Sequence, residues 1–257
     1  MIMEVNGESI DSLKHSHTRK AISERLAQGP IYSYVRDAVI GASDGAITTF
    51  AVVAGVSGAD LSAGIVIVLG LANLLADGFS MAVGNFLGIR AELERQAKTR
   101  ADEHLHVALI PEGEREEMRQ ILERKGFTGD DLDRAVQVVT ANVDRWVDAM
   151  LLEEHGLGKS QPVPWKAGLT VFAAFLIVGM VPIWVYLWNW LSDYPVSTPF
   201  FWSAVGTGTA FVLVGALKGR VVGKPALRSS IETLTLGGIA AVLAYGVGLA
   251  LKSVVTG

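Results

Sequence analysis

The sequence predicts an all-α integral membrane protein with five transmembrane helices per protomer and a cytosolic helical domain between the second and third. Three observations lead to this fold class. Half of the 257 residues are apolar, and the mean hydropathy is +0.38, above what a soluble domain of this length needs. Apolar runs of about 20 residues, the length that crosses a bilayer as a helix, recur along the chain. Most charges lie in the first 36 positions or between residues 90 and 159.

The apolar runs place the five spans near 37–57, 61–88, 167–191, 199–217 and 231–251. The link after the first span carries only Asp60 and the link after the third only Asp193, whereas the link at 218–228 contains four basic residues. The positive-inside rule therefore predicts a cytosolic N-terminus and a C-terminus that is outside or lumenal. Aromatic residues gather at the predicted outer boundary, as expected for an interfacial belt: Trp184, Tyr186, Trp188, Trp190 and Tyr194.

The polar insert between the second and third spans is too long for a simple loop and predicts a small helical domain. Breaks are expected at Pro111 to Gly113 and at Gly126 to Gly129. Thr128 is expected to cap the next helix, through which apolar residues repeat at helical spacing from Leu132 to Met150. The predicted organisation is a cytosolic N-terminal segment at 1–31, spans one and two at 32–89, the helical domain at 90–160 and spans three to five at 161–257.

Composition excludes several functional classes. The absence of cysteine excludes disulfides, thiolate metal sites and iron–sulfur ligation. A net charge of −4 with no strongly basic surface argues against a nucleic-acid partner. The N-terminal segment lacks the apolar core of a signal peptide, so we expect it to remain on the mature protein.

Two carboxylates fall inside the predicted membrane helices. Asp44 and Asp77 would each cost roughly 2.5–3.5 kcal/mol at a helix centre, and such residues usually mark a pathway. Asp37 lies seven residues before Asp44 and therefore on nearly the same face. The second helix carries polar residues and a methionine every four positions, and these complete the candidate pathway: Asn73, Asp77, Met81 and Asn85. The alternative is that these groups only hold closely packed helices together.

Met81 is the ambiguous member of this set, because a methionine in a membrane helix is ordinarily lipid-facing or core. One turn from Asp77, its thioether would add a soft ligand to hard carboxylate oxygens. That combination suits iron, manganese or cobalt better than magnesium or calcium.

The polar insert contains three pairs of candidate metal ligands at helical spacing: Glu103 with His106, Glu114 with Glu117, and Met150 with Glu154. Carboxylates and imidazoles from facing helices bind iron in helical bundles. A merely solvated acidic face is the alternative interpretation. Four neighbours could substitute as ligands or attract cations electrostatically: His104, Glu112, Glu116 and Glu153.

Four stretches resemble the vacuolar iron transporter family: RDAVIGASDGAITTFAVVAGVSGA, ADGFSMAVGNF, WVDAMLLEEHGL and GGIAAVLAYGVG. The resemblance covers the chain from about Tyr32 onward. It implies a five-helix protomer in a homodimer, a metal pathway between the subunits, and cytosolic helices that collect metal before transport. It also implies export of Fe²⁺, often with Mn²⁺ or other divalent ions, from the cytosol with protons as the counter-ion.

The resemblance also implies residue roles. Asp37, Asp44 and Met81 match the family's pathway positions. Five residues match its cytosolic metal site: Glu103, Glu114, Glu117, Met150 and Glu154. The chain departs from the family pattern where Asn73 and Asn85 stand in place of glutamates, where Leu151 replaces a second methionine, and where His106 replaces a glutamate.

The expected function is therefore a proton-coupled transporter of Fe²⁺, with Mn²⁺ and other divalent transition metals as further substrates, and not an enzyme. No prosthetic group is expected, since the metal is the substrate. Protons, the lipid bilayer and a second copy of the chain are the expected partners, and in a bacterium the inner membrane is the expected location. Two alternatives stay open: a membrane-anchored di-metal carboxylate enzyme of the ferroxidase type, and a membrane scaffold that senses metal.

Overall fold

The computed structural model describes residues 4–5, 8–9, 17–28, 32–158 and 162–256. About half of the predicted N-terminal segment 1–31, and the predicted boundary at 160–161, lie outside the described residues. The chain divides into two compact units. The polar unit comprises Met1–Tyr32 and Arg90–Pro162, and the apolar unit comprises Ser33–Ile89 and Val163–Gly257.

Most of the described residues are helical, and short turns and loops join the helices. A short antiparallel pair also occurs, β1 (Glu4–Val5) and β2 (Glu8–Ser9). The helices in chain order are α1 (Arg19–Gln28), α2 (Val35–Gly58), α3 (Ala63–Leu109), α4 (Pro111–Arg124), α5 (Gly129–Thr140), α6 (Val143–Glu153), α7 (Pro164–Gly179), α8 (Trp184–Leu191), α9 (Pro199–Val221) and α10 (Ala226–Thr256).

Helix α2 is the centre of the apolar unit and packs against α7, α9 and α10. Its glycines allow the backbones of α2 and α7 to touch, as is usual where membrane helices associate without a hydrophobic driving force. A Cβ added at Gly45 would lie 2.5 Å from the Phe175 carbonyl oxygen, and one at Gly41 would meet the Val171 carbonyl. These approaches fix the face of α2 that turns toward α7.

Within the described ranges, four helices are long and apolar enough to cross a membrane: α2, α3, α9 and α10. Helices α7 and α8 form a fifth candidate only if they are counted together, because they meet at a bend of 61°. The sequence predicted one continuous span over 167–191, and Pro182 at the break explains the difference, since proline removes a backbone donor and clashes with the preceding turn. The Ser203 hydroxyl donates to the Pro182 carbonyl at 2.5 Å.

One member of the predicted aromatic belt is a core residue. Tyr186 is only 4% exposed, and its hydroxyl hydrogen-bonds with the Ser57 hydroxyl at 3.3 Å. Trp184, Trp190 and Tyr194 are exposed, as the belt requires. Because α8 is short and bent away from α7, its aromatic side chains divide between the core and the surface.

The polar unit is built from the later part of α3 and from α4, α5 and α6 around one apolar core. That core includes Val107, Met118, Leu122, Leu132, Val136, Trp146, Val147, Met150 and Leu151. Helix α4 begins with Pro111 at its first turn, where proline is favoured, and Gly126 and Gly129 adopt positive φ between α4 and α5. The break predicted at 126–129 is therefore present, whereas Gly113 lies inside α4.

Two local expectations in the polar unit differ from the structure. Thr128 occupies the N-cap position of α5, but its side chain makes no capping hydrogen bond. The apolar repeat predicted to run unbroken from Leu132 to Met150 is divided between α5 and α6. Asn142 causes the division, because its side-chain oxygen accepts from the Arg145 N–H at 2.9 Å and caps a new helix.

Candidate metal sites

In the apolar unit, the polar stripes of α2 and α3 face each other. Asp37, in the first turn of α2, is 2% exposed, and the Asn85 side-chain amide donates to its Oδ1 at 3.2 Å. Asp44 and Asp77 are half-buried and interact electrostatically. The seven positions between Asp37 and Asp44 on α2 are thus matched by the eight between Asp77 and Asn85 on α3, so that Asp37 lies beside Asn85 and Asp44 lies toward Asp77.

The remaining members of the stripe differ in their surroundings. The Asn73 side-chain nitrogen is buried, and no hydrogen-bond partner reaches it among the described residues. Met81 is partly buried and packs against the apolar core cluster that contains Leu74 and Phe175. The stripe therefore offers carboxylate and amide oxygens, with the thioether at the border between the stripe and the core.

In the polar unit, three helical segments bring carboxylates and imidazoles together. We call this group the carboxylate–imidazole cluster, and it consists of Glu103, His106, Glu114, Glu117, Glu154 and His155. The His106 Nδ1 atom lies 3.8 Å from Glu103 Oε1 and 3.6 Å from Glu114 Oε1. These three residues present ligand atoms within 4.8 Å of one another, a spacing that can hold a metal ion. The structure thus brings one predicted pair, Glu103 with His106, together with Glu114 from a second pair.

A second possible ligand group shares Glu103 and includes a residue that sequence reasoning missed. His155 Nε2 lies 3.0 Å from Glu103 Oε1 and 3.7 Å from Glu154 Oε2. Their ligand atoms also fall within 4.8 Å of one another. The available signal was the direct succession of Glu154 and His155 just beyond the end of α6, where helical spacing no longer applies.

Burial and mutual repulsion set the electrostatics of the cluster. Glu103 and Glu114 are each 3% exposed, and the Oε2 atom of each has no hydrogen-bond partner among the described residues. Burial, followed by the charges of Glu103 and Glu117, raises the pKa of Glu114 above its ordinary value. Burial also raises the pKa of Glu154, while His155 opposes the shift. A bound cation would offset the cost of burying the charged carboxylates and would relieve the repulsion between them.

The four neighbours considered as substitute ligands have other partners in the structure. Glu112 pairs with Arg115 at 2.5 Å, Glu116 accepts from the Gln120 amide at 3.1 Å, and Glu153 pairs with Lys125. His104 lies 3.7 Å from Asp144.

Met150 is fully buried in the apolar core of the polar unit. The ligand role of Met150 stays a prediction. The ligand role of Glu117 also stays a prediction: its side chain is exposed, and its negative charge contributes to the raised pKa of both Glu114 and Glu154.

These helices define the class as an integral membrane protein whose described part is mostly helical, with candidate metal ligands gathered in the polar unit and carboxylates on the facing helices of the apolar unit. The family follows from sequence comparison: the VIT family model matches residues 35–249, and the chain belongs to the VIT family.

The chain is similar to a vacuolar iron transporter of Toxoplasma gondii, with 35% identity over 86% of this chain and 76% of the relative. It is similar to vacuolar iron transporter 1 of Arabidopsis thaliana, with 32% identity over 82% and 83%. It is also similar to vacuolar iron transporter 2 of Oryza sativa subsp. japonica, with 30% identity over 86% and 88%. The resemblance drawn from the sequence motifs is thereby confirmed.

Proposed function

We propose that this protein transports Fe²⁺ out of the cytosol in exchange for protons, with Mn²⁺ and other divalent transition metals as further substrates. The family and the relatives named vacuolar iron transporters support metal transport. The observation that carries the proposal is the polar stripe shared by α2 and α3, two helices long enough to span a membrane: Asn85 donates to the buried Asp37 at 3.2 Å, and Asp44 and Asp77 lie further along the same two helices.

The chemistry of that pair suits exchange of a metal for protons. Two neighbouring carboxylates in apolar surroundings repel each other, and either a divalent cation or a proton relieves the repulsion. Metal and proton then compete for the same oxygens, so a proton gradient can drive metal release. Asp37, held by Asn85, and the amide of Asn73 extend the polar stripe along the same two helices.

The carboxylate–imidazole cluster would collect metal on the cytosolic side before transport. The buried, unpartnered oxygens of Glu103 and Glu114 support this role, because a solvated acidic face would leave them in water. We place the polar unit and the N-terminus in the cytosol, as the basic link at 218–228 indicates. The proposed assembly is a homodimer, as the family resemblance implies.

The test is Fe²⁺ flux into proteoliposomes with an imposed pH gradient. Wild-type protein should transport, and Asp44→Asn should abolish transport, because an amide keeps the shape of the side chain but loses the charge. Asp60→Asn is the matched control. Asp60 is an exposed carboxylate between α2 and α3 with a φ of 59°, a conformation that asparagine tolerates. Near wild-type flux through Asp44→Asn would exclude the proposed pathway.

A di-metal enzyme of the ferroxidase type is the competing function, and the shared position of Glu103 is the observation in its favour. Such sites use two Glu-x-x-His sets, whereas here the second histidine directly follows its glutamate. The enzyme would convert Fe²⁺ to Fe³⁺ in the presence of O₂ without any flux. Flux of Fe²⁺ under anaerobic conditions would exclude it as the sole function.

A further inference from the structure

His155 stands where helical spacing predicts no ligand, yet it lies closer to the buried Glu103 carboxylate than His106 does. The Nε2 atom of His155 is 3.0 Å from Glu103 Oε1, against 3.8 Å for His106 Nδ1. The His155 side chain is 30% exposed, so an ion arriving from solvent can reach its ring.

The surroundings of Glu103 favour a cation over a simple ion pair between Glu103 and His155. Glu103 uses Oε1 toward both imidazoles, and its Oε2 atom is buried without a partner in the described part of the chain. The Oε2 atom of Glu114 is likewise buried and has no hydrogen-bond partner among the described residues. Leaving a buried acceptor unpaired costs about 1–3 kcal/mol, and more for a charged group. The exposed acids nearby, such as Glu112 and Glu153, instead have basic partners.

We propose that His155 is a metal ligand in a site formed with Glu103 and Glu154, and that it sets the metal preference of the cluster. This inference rests on the proposed collecting role of the polar unit. With His155 included, each of the two ligand groups around Glu103 contains one imidazole. Imidazole suits Fe²⁺, Co²⁺, Ni²⁺ and Zn²⁺, whereas carboxylates alone suit Mg²⁺, Ca²⁺ and Mn²⁺. The cluster therefore favours the first group of ions over the second.

The experiment uses the full-length protein in detergent, with Co²⁺ as a spectroscopic probe and Mn²⁺ as the carboxylate-preferring comparison. Binding is measured by calorimetry, and imidazole ligation of Co²⁺ by X-ray absorption. His155→Asn should weaken Co²⁺ binding at the affected position by at least about tenfold, the lower bound measured for outer-shell partners of metal ligands. Mn²⁺ binding should weaken less, and the imidazole contribution to the Co²⁺ spectrum should fall.

The matched control is His104→Asn. His104 belongs to the same unit but lies beside Asp144, outside both ligand groups. This variant should leave both affinities and the spectrum unchanged. A second variant, His155→Glu, keeps a ligand but replaces nitrogen by oxygen, so it should retain binding and shift the preference toward Mn²⁺. The melting temperature of His155→Glu shows whether this variant is folded. The test of metal preference therefore still holds if His155→Asn is unstable.

Two results would overturn the inference. Unchanged Co²⁺ affinity and spectrum in His155→Asn would make His155 only an ion-pair partner of Glu103. An unchanged ratio of Co²⁺ to Mn²⁺ affinity in His155→Glu would remove its role in selectivity. If the proposed transport function is wrong, wild-type proteoliposomes will show no Fe²⁺ flux. That result does not depend on His155, so the two failures can be told apart.

Discussion

The apolar unit and the polar unit both bury carboxylates, but they surround them differently. In the apolar unit, Asp37 receives an amide hydrogen bond, and the half-buried Asp44 and Asp77 lie on the same two apolar helices. In the polar unit, Glu103 and Glu114 are gathered with two imidazoles and further acids. The first arrangement offers few ligands at any point along the helices, whereas the second concentrates them.

The difference matches what the two tasks of the proposed function require. A conducting site must bind an ion strongly enough to admit it and weakly enough to release it. A collecting site can use more ligands, because its ions do not need to cross the membrane from there. Substitutions in the two units should therefore have separable effects.

The largest effect is expected from filling the contact between α2 and α7. Gly45→Val would drive side-chain carbons into the backbone of α7, where even a single Cβ would lie 2.5 Å from the Phe175 carbonyl oxygen. We expect a loss of more than about 3 kcal/mol, the upper part of the range for overpacking. Loss of a monodisperse, cooperatively melting protein in detergent is the measured outcome.

The polar unit provides the contrasting glycine. Gly113 lies inside α4, and a Cβ there would meet only the end of the Ile110 side chain, at 4.0 Å. Gly113→Ala should therefore stabilise the protein by about 0.5–1 kcal/mol through helix propensity. Equal destabilisation by both substitutions would contradict the assigned difference in packing.

The next effect separates collection from transport. Replacing Glu114 and Glu117 together by Gln should lower the number of Co²⁺ ions bound by the full-length protein, because two carboxylates leave the cluster. Slow Fe²⁺ flux should persist at high metal concentration, since Asp44 and Asp77 are untouched. Calorimetry and proteoliposome flux measure the two quantities.

The double substitution Glu112→Gln with Glu116→Gln is its control. Both residues lie on α4 and carry the same charge, but they pair with Arg115 and Gln120 outside the cluster. The control should bind as many ions as the wild type. If the two double variants lose binding equally, the glutamates of α4 act only as a general negative surface.

A smaller effect concerns stability and pH in the presence of a chelator. The pKa of Glu114 is raised in the folded protein, so the folded chain retains a proton that the unfolded chain releases. Stability is then fully present below the ordinary carboxyl pKa and declines as pH rises from that value through the raised one. Glu114→Gln should remove this decline and raise the melting temperature at pH 7, by about 2–4 °C for each kcal/mol relieved. The gain should vanish near pH 4, and a gain that is equal at both pH values would contradict the assignment.

The smallest effect is expected at Met81, which borders the apolar core. Met81→Leu keeps the volume and apolarity but removes the thioether. Fe²⁺ flux should fall more than Mn²⁺ flux, because sulfur is the softer ligand and favours the softer ion. Parallel loss for both ions in the same vesicles would assign Met81 to packing alone.

Local patterns in the sequence predicted much of the fold and part of the sites. Apolar runs predicted the long helices, and Pro111, Gly126 and Gly129 predicted breaks in the polar unit. The divisions at Asn142 and Pro182 were missed, because an apolar repeat reads the same whether the helix continues or restarts. Helical spacing likewise predicted that Glu103 and His106 share a helix face. It could not predict His155, because that residue lies beyond the end of α6.

Hydropathy, charge distribution and motifs are properties of neighbouring residues, so the sequence was enough to separate the apolar membrane helices from the polar insert and to identify the family. Which ligands meet depends instead on the folded arrangement of the helices. Glu103 and His155 are separated by 52 positions and come from different segments, yet their side chains lie 3.0 Å apart. Asp37 and Asn85, separated by 48 positions and carried by α2 and α3, are joined by a hydrogen bond of 3.2 Å. Such contacts depend on how helices pack, and packing is set by side-chain shape on two surfaces at once, which no single stretch of sequence contains.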